Sequence, residues 1–257
     1  MSSAFWRGTA GILVLLVVWE TFARSGLFSP AITPPLSSIA ASFWQMLTNG
    51  TLERNAGYTL ARVLIGLSFS CLIGIPLGML MGRVRAVERF CLPLVSVLMP
   101  IPSLAWVPLF VLWFGISEAT TILVVAYAAT FPVLYNTWTG VRAVNPIWAR
   151  AALSMGATQR ELFRKVVLPG ASPYVLTGIR LGFGRGWIAV IGGELLANPV
   201  YGLGKVIFDA KEFLNSEVMI ASLVAIGLIG LFFERLVFQT MEARTVARWG
   251  MVSAARR

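Results

Sequence analysis

The sequence predicts an all-α membrane protein with six transmembrane helices and with both its amino and carboxyl termini on the cytoplasmic side. Three observations carry that expectation. The chain is 57% hydrophobic and only 12% charged, with a mean hydropathy of +0.79. Its apolar residues fall in runs long enough to cross a bilayer core of about 30 Å, which takes roughly 20 helical residues. The net charge of +10 is unevenly shared among the segments between those runs, and Lys/Arg asymmetry is what orients a membrane protein. A length of 257 residues predicts one membrane domain, residues 1–257. There is no His, and the two cysteines, Cys71 and Cys91, lie in or beside apolar segments, so neither a metal site nor a disulfide framework is indicated.

Residues 1–7 form a short tail with one positive charge, followed by an apolar segment over about 8–23. Trp19 and Glu20 near its end, with no small-x-small cleavage site, favour a retained span over a signal peptide. After Pro30, Pro34 and Pro35, the residues Leu36, Ile39, Phe43, Met46 and Leu47 recur at helical spacing until Asn49-Gly50. That segment is too short and polar to span. It reads as an amphipathic helix at the membrane surface, or as a buried elbow.

The second span, about 58–81, places Gly74, Gly78 and Gly82 on one face, where a neighbouring backbone can approach closely. The third, about 90–114, is interrupted by Pro93, Pro100, Pro102 and Pro108 and must be kinked or partly unwound, which in a membrane requires burial in protein or a water-lined cavity. Pro100 and Pro102 are therefore candidate pathway residues, with a kinked packing helix as the alternative. A polar break at 116–119 leads to the fourth span, about 120–139. The fifth runs over about 173–197 with Ser172 as its cap and a second small-residue face, Gly178, Gly182 and Gly186. A loop at 198–216 precedes the sixth, about 218–239, and a basic tail follows.

Between the fourth and fifth spans lies a polar, basic island, NPIWARAALSMGATQRELFRKVVLPGASP, residues 145–173. It reads as a helical hairpin. Asn145 caps a helix that begins at Pro146 and stops at Gly156. Thr158 opens a second helix with Glu161 in a capping box, Glu161 and Lys165 form an i,i+4 pair, and Pro169 ends the run. Trp148, Ala152 and Met155 share one face of the first helix, and the second offers Leu162, Phe163, Val166 and Val167. A DNA-reading helix-turn-helix is excluded by the apolar spans on both sides, so no nucleic-acid partner is expected.

With a cytoplasmic amino terminus, fourteen Lys and Arg residues fall inside and four outside, and three more, Arg62, Arg180 and Arg185, lie within spans. Charges at membrane depth need partners. Arg62 and Glu194 sit at matching depths and are expected to pair; Arg180 can meet Glu234 or snorkel to the interface. Arg185, beside Trp187, has no acid at its depth. It either faces an aqueous cavity and attracts an anionic solute, or bonds carbonyls exposed by a broken neighbouring helix.

Ala151-Ala152, Gly156-Ala157 and then Val166, Leu168 and Pro169 match in spacing the pattern Glu-Ala-Ala, three residues, Gly, nine residues, Ile-x-Leu-Pro. With these residues the chain resembles the permease subunits of binding-protein-dependent ABC importers. PIPSLAWVPLFVLWFG (100–115), VVLPGASPYVLTGIRLGFGRGW (166–187) and GELLA (193–197) resemble the sulfonate, taurine and nitrate branch. One residue departs from the pattern: Arg150 stands where the family has its glutamate.

The resemblance implies a location in the bacterial inner membrane and a coupling helix made by Arg150, Ala151, Ala152, Met155, Gly156, Ala157, Leu162, Phe163, Leu168 and Pro169. It further implies two partner ATPases carrying ATP and Mg²⁺, a second permease copy, an extracytoplasmic solute-binding protein, surrounding membrane lipid, and a small solute such as a sulfonate, taurine, nitrate or a vitamin-precursor ring. The chain itself is expected to bind no cofactor and to catalyse nothing: it lacks a phosphate-binding Gly-x4-Gly-Lys-Ser/Thr loop and any acid, base and nucleophile cluster. A secondary transporter or channel, and a membrane anchoring protein that only docks a partner, are the alternatives from other classes.

Overall fold

A computed structural model describes residues 2–27, 29 and 31–241. The tail arginines Arg244, Arg248, Arg256 and Arg257, the side chain of Arg7, and Pro30 lie outside the described residues. Eleven α-helices follow in order, with no strand among the described residues: α1 (Ser2–Arg24), α2 (Leu36–Thr48), α3 (Thr51–Arg83), α4 (Arg85–Leu98), α5 (Val107–Phe114), α6 (Glu118–Ala143), α7 (Pro146–Ser154), α8 (Gln159–Leu162), α9 (Leu168–Ala197), α10 (Leu203–Glu212) and α11 (Ser216–Phe232). A 3₁₀ turn, Ser103–Trp106, leads into α5, and π turns at Phe163–Val167 and Phe233–Phe238 follow α8 and α11. Among the described residues, three stretches are long and apolar enough to cross a membrane, Thr51–Arg83, Glu118–Ala143 and Ser216–Met241. A fourth is the broken pair Arg85–Leu98 plus Ser103–Phe114, bent by 86°.

Contacts divide the chain into two compact units, Met1–Tyr58 with Val200–Leu228, and Thr59–Pro199 with Ile229–Arg257. The first unit is laced by side chain to backbone bonds. The Trp19 indole donates to the Pro34 carbonyl at 3.1 Å, and the Leu36 amide donates to Glu20 at 2.6 Å. Asn55 accepts from the Gly202 amide at 2.7 Å, at the start of α10, whose buried Leu203, Ile207 and Ala210 mark its inner face. The amphipathic pattern at 36–48 forms as read: Ile39, Ser42 and Met46 are buried, while Trp44 on the other face is exposed.

The second unit is organised around α6. Glycine spacing decides it, because a residue without a side chain lets two helix backbones touch. Gly66, Gly74, Gly78 and Gly82 of α3 run along α6 in parallel, meeting in turn Val125, Val133–Leu134, Thr137 and Val141. Gly178, Gly182, Gly186 and Gly193 of α9 run antiparallel, meeting Asn136, Val133, Val125 and Thr121. Both glycine faces are thus used within the chain, and Val125 and Val133, fully buried, sit where the three helices converge.

The prolines act as expected in one place and differently in another. Pro100 and Pro102 lie in the gap where α4 ends and the chain turns by 86°. Pro169 does not end the hairpin, and Ser172 does not cap a new helix. The backbone instead stays helical from Gln159 to Ala197 through the π turn, in which the Leu168 amide reaches back to the Phe163 carbonyl. Pro169, which has no amide to donate, follows directly after this wider turn, in the first turn of α9. Pro173 lacks one too, and the carbonyl it would have bonded, that of Pro169, accepts instead from the Ser172 hydroxyl at 2.9 Å.

A Cβ at Gly78 would lie 2.6 Å from the Leu134 carbonyl and 2.8 Å from Thr137 Cβ, so Gly78→Leu should separate α3 from α6 and cost about 1–3 kcal/mol or more. Gly227→Ala, into open space, should leave the melting temperature of the detergent-solubilised protein nearly unchanged.

Candidate functional site

Three features of the second unit carry chemistry. The first is the hairpin. The Asn145 side chain accepts from the Ile147 amide, Pro146 opens α7, and Gly156 takes φ +84°, a conformation that suits only glycine at little cost. Thr158 and Glu161 form the full capping box, and Lys165 adds an ion pair to Glu161 at 3.0 Å. The bond from the Thr158 amide, followed by that from Lys165, lowers the Glu161 carboxyl from 4.5 to about 2. A depressed carboxylate stabilises the fold fully above its ordinary value, and this contribution disappears only as pH falls toward 2.

Local bonds therefore cap both helices of the hairpin, yet much of its apolar surface has no partner among the described residues. Ala152 turns inward, whereas Ile147, Trp148, Leu153 and Met155 are exposed, Met155 by 83%. Leu162, Phe163 and Pro169 are half-buried, Leu168 is exposed, and Ala151, Gly156 and Ala157 lie around the turn. A depression of about 370 Å³ between the two helices is lined by Ala152, Met155, Gly156, Ala157, Leu162 and Val166, among others. Arg150 is exposed and, among the described residues, bonds the Pro146 carbonyl of its own helix at 3.4 Å. The hairpin is tied to α3 by the Arg83 guanidinium, 4.6 Å from the centre of the Phe163 ring. No periodicity pointed to this contact.

The second feature is an ion network. Arg62, 1% exposed, bonds Glu194, fully buried, at 2.5 Å, and Glu118, half exposed, through Nε at 2.5 Å and Nη2 at 2.6 Å. The Thr59 hydroxyl lies 2.8 and 3.0 Å from the two Glu194 oxygens. The sequence suggested the Arg62–Glu194 pair but missed Glu118, although an acid in the first turn of α6 was a visible signal. Arg180 pairs with Glu234 in the π turn after α11.

The third feature is a cavity of about 410 Å³ beside the broken helix, lined by Pro100, Pro102, Ser103, Tyr127, Pro132 and Arg185, among others. The Tyr127 hydroxyl donates to the Leu98 carbonyl at 2.6 Å and so fixes the last turn of α4. Trp187 is not on this cavity. Two positions from Arg185 on a helix, it points elsewhere, buried between the Phe183 ring and Gly230.

The second unit thus combines a broken helix pair, a buried charge network and a hairpin capped at both helices. Residues 74–240 match the family described as "Binding-protein-dependent transport system inner membrane component", and the chain belongs to that family. It is an ABC importer permease subunit.

Over 228 residues it is 36% identical to the taurine transport system permease protein TauC of Escherichia coli, covering 87% of this chain and 82% of that one. It is 32% identical to the nitrate import permease protein NrtB of Synechocystis (90% and 86% covered) and to the bicarbonate transport system permease protein CmpB of Synechococcus elongatus (89% and 85%). An inward-facing structure of the MetNI methionine ABC transporter shares the fold, with TM-score 0.64 and 20% identity, over 77% of this chain and 97% of that one.

Arg62→Met strands the buried Glu194 carboxylate and should cost about 3–5 kcal/mol, whereas Glu118→Gln, at a half-exposed acid, should cost about 1 kcal/mol or less. Thermal unfolding of the purified permease in detergent compares the two.

Proposed function

We propose that the chain forms the translocation pathway of an ATP-driven importer of a small oxyanion in the bacterial inner membrane. It would work as six spans with both termini cytoplasmic and pair with a second permease copy. Two ATPases carry the ATP and Mg²⁺, and an extracytoplasmic binding protein delivers the solute. The hairpin over 145–169 docks in a groove on each ATPase. When the ATPases close on ATP, the docked hairpins move, and the spans exchange inward-facing for outward-facing arrangements.

One observation carries the coupling role: the hairpin is internally capped at both helices and still exposes Ile147, Trp148 and Met155. A helix with an apolar rim is what helix-in-groove binding requires. Continuity through the π turn into α9 gives hairpin movement a direct mechanical route into the unit. Names of relatives support the solute class, since they point to taurine, nitrate and bicarbonate systems.

Placing a charge at Met155 should separate the partners. Met155→Asp is expected to weaken co-purification of the ATPase at least about tenfold, as loss of a central apolar anchor does. Arg150→Glu, which restores the family's acid on an exposed face, should leave both co-purification and binding-protein-stimulated hydrolysis intact. Uptake driven by an ion gradient through this chain alone would overturn the importer mechanism.

A further inference from the structure

Arg185 lies near the middle of α9, about 26 Å along the axis from Leu168 and about 18 Å from Ala197 at roughly 1.5 Å per residue. Arg62 and Arg180 each meet a carboxylate, but Arg185 is exposed and has no hydrogen bond or ion pair among the described residues. It lies beside the glycine face of α9, one residue from Gly186, and lines the same hollow as Tyr127 and Pro132 of α6. A guanidinium in hydrocarbon costs about 3 kcal/mol or more, so this side chain is turned toward water or protein and not toward lipid tails.

What lies beside it is the 410 Å³ cavity, and Arg185 is the only charged side chain among the described residues that line it. No acid there offsets the charge. Pro132 leaves the Ala128 carbonyl without its helix donor, and both residues line the cavity, yet Arg185 makes no bond to that carbonyl.

We propose that this cavity is an oxyanion-binding site on the translocation route. The guanidinium fork would hold a sulfonate, nitrate or carbonate-type group through paired N–H bonds, the geometry that favours Arg for such groups. The rest of a small solute lies against Pro100, Phe131 and Ile188, in a volume at the small end of ligand sites. The proposal rests on the permease reading and adds that the permease itself selects for negative charge.

The test measures binding of radiolabelled taurine, with nitrate and bicarbonate as competitors, to the permease–ATPase complex in lipid discs of phosphatidylcholine without binding protein. Arg185→Gln should weaken binding about tenfold to a hundredfold, the loss of one or two charge-assisted bonds, and Arg185→Lys should recover part of it. Gel filtration and melting of each variant confirm that it is folded. Wild-type affinity in Arg185→Gln, or no binding of any of the three anions to the wild-type complex, overturns the site. A phosphate headgroup has the same chemistry. Arg185-dependent retention of phosphatidylglycerol, with no anion binding, assigns the cavity to lipid and also overturns the proposal. Binding is read on the permease itself, so failed ATPase co-purification strikes the importer reading and unchanged binding in Arg185→Gln strikes this one.

Discussion

The convergence of α3, α6 and α9 around Val125 and Val133 is the constraint on which the rest of the second unit depends. Water is not available inside a bilayer to drive helices together, so association relies on close packing, and close packing needs small residues at the contact. Glycines supply them on both partners of α6. With α3 parallel and α9 antiparallel to α6, the start of α3, the start of α6 and the end of α9 come to one end of the bundle. That placement brings Arg62, Glu118 and Glu194 together. At the other end the same geometry leaves Arg83 beside Phe163, where the hairpin joins α9.

Polar satisfaction is the second theme, and the chain meets it by different means at different depths. The Arg62 network holds one fully buried carboxylate between a guanidinium and a hydroxyl, and its half-exposed member, Glu118, leads outward. Arg180 and Glu234 bridge α9 to the π turn after α11. At Pro173 the carbonyl left without its helix donor, that of Pro169, accepts from the Ser172 hydroxyl. Against that background Arg185 stands apart. Arg62 and Arg180 meet carboxylates, whereas Arg185, on the cavity, has no ion pair among the described residues, and the proposed anion site starts from that difference.

Much of this could be read from the residues alone, because local chemistry governs it. Asn145, Pro146, Gly156, Thr158 and Glu161 act within one or two helical turns, and the hairpin they define forms as their spacing requires. The proline cluster at 100–108 forces a break whatever lies around it, and the glycine triplets mark faces where a backbone must approach. Apolar run lengths made the class of protein plain.

Other features were decided only in three dimensions. Periodicity names a face but not the helix it meets, and both glycine faces chose α6. Depth matching suggested Arg62 with Glu194, yet Glu118 joins them only because the starts of α3 and α6 coincide in space. Trp187 neighbours Arg185 in sequence and is turned away from it by the helical period. Continuity through Pro169 likewise depended on a π turn that no residue preference announces. Sequence determines what acts across a few residues of backbone, whereas partners far apart in the chain are set by how helices pack, and packing depends on all their surfaces at once.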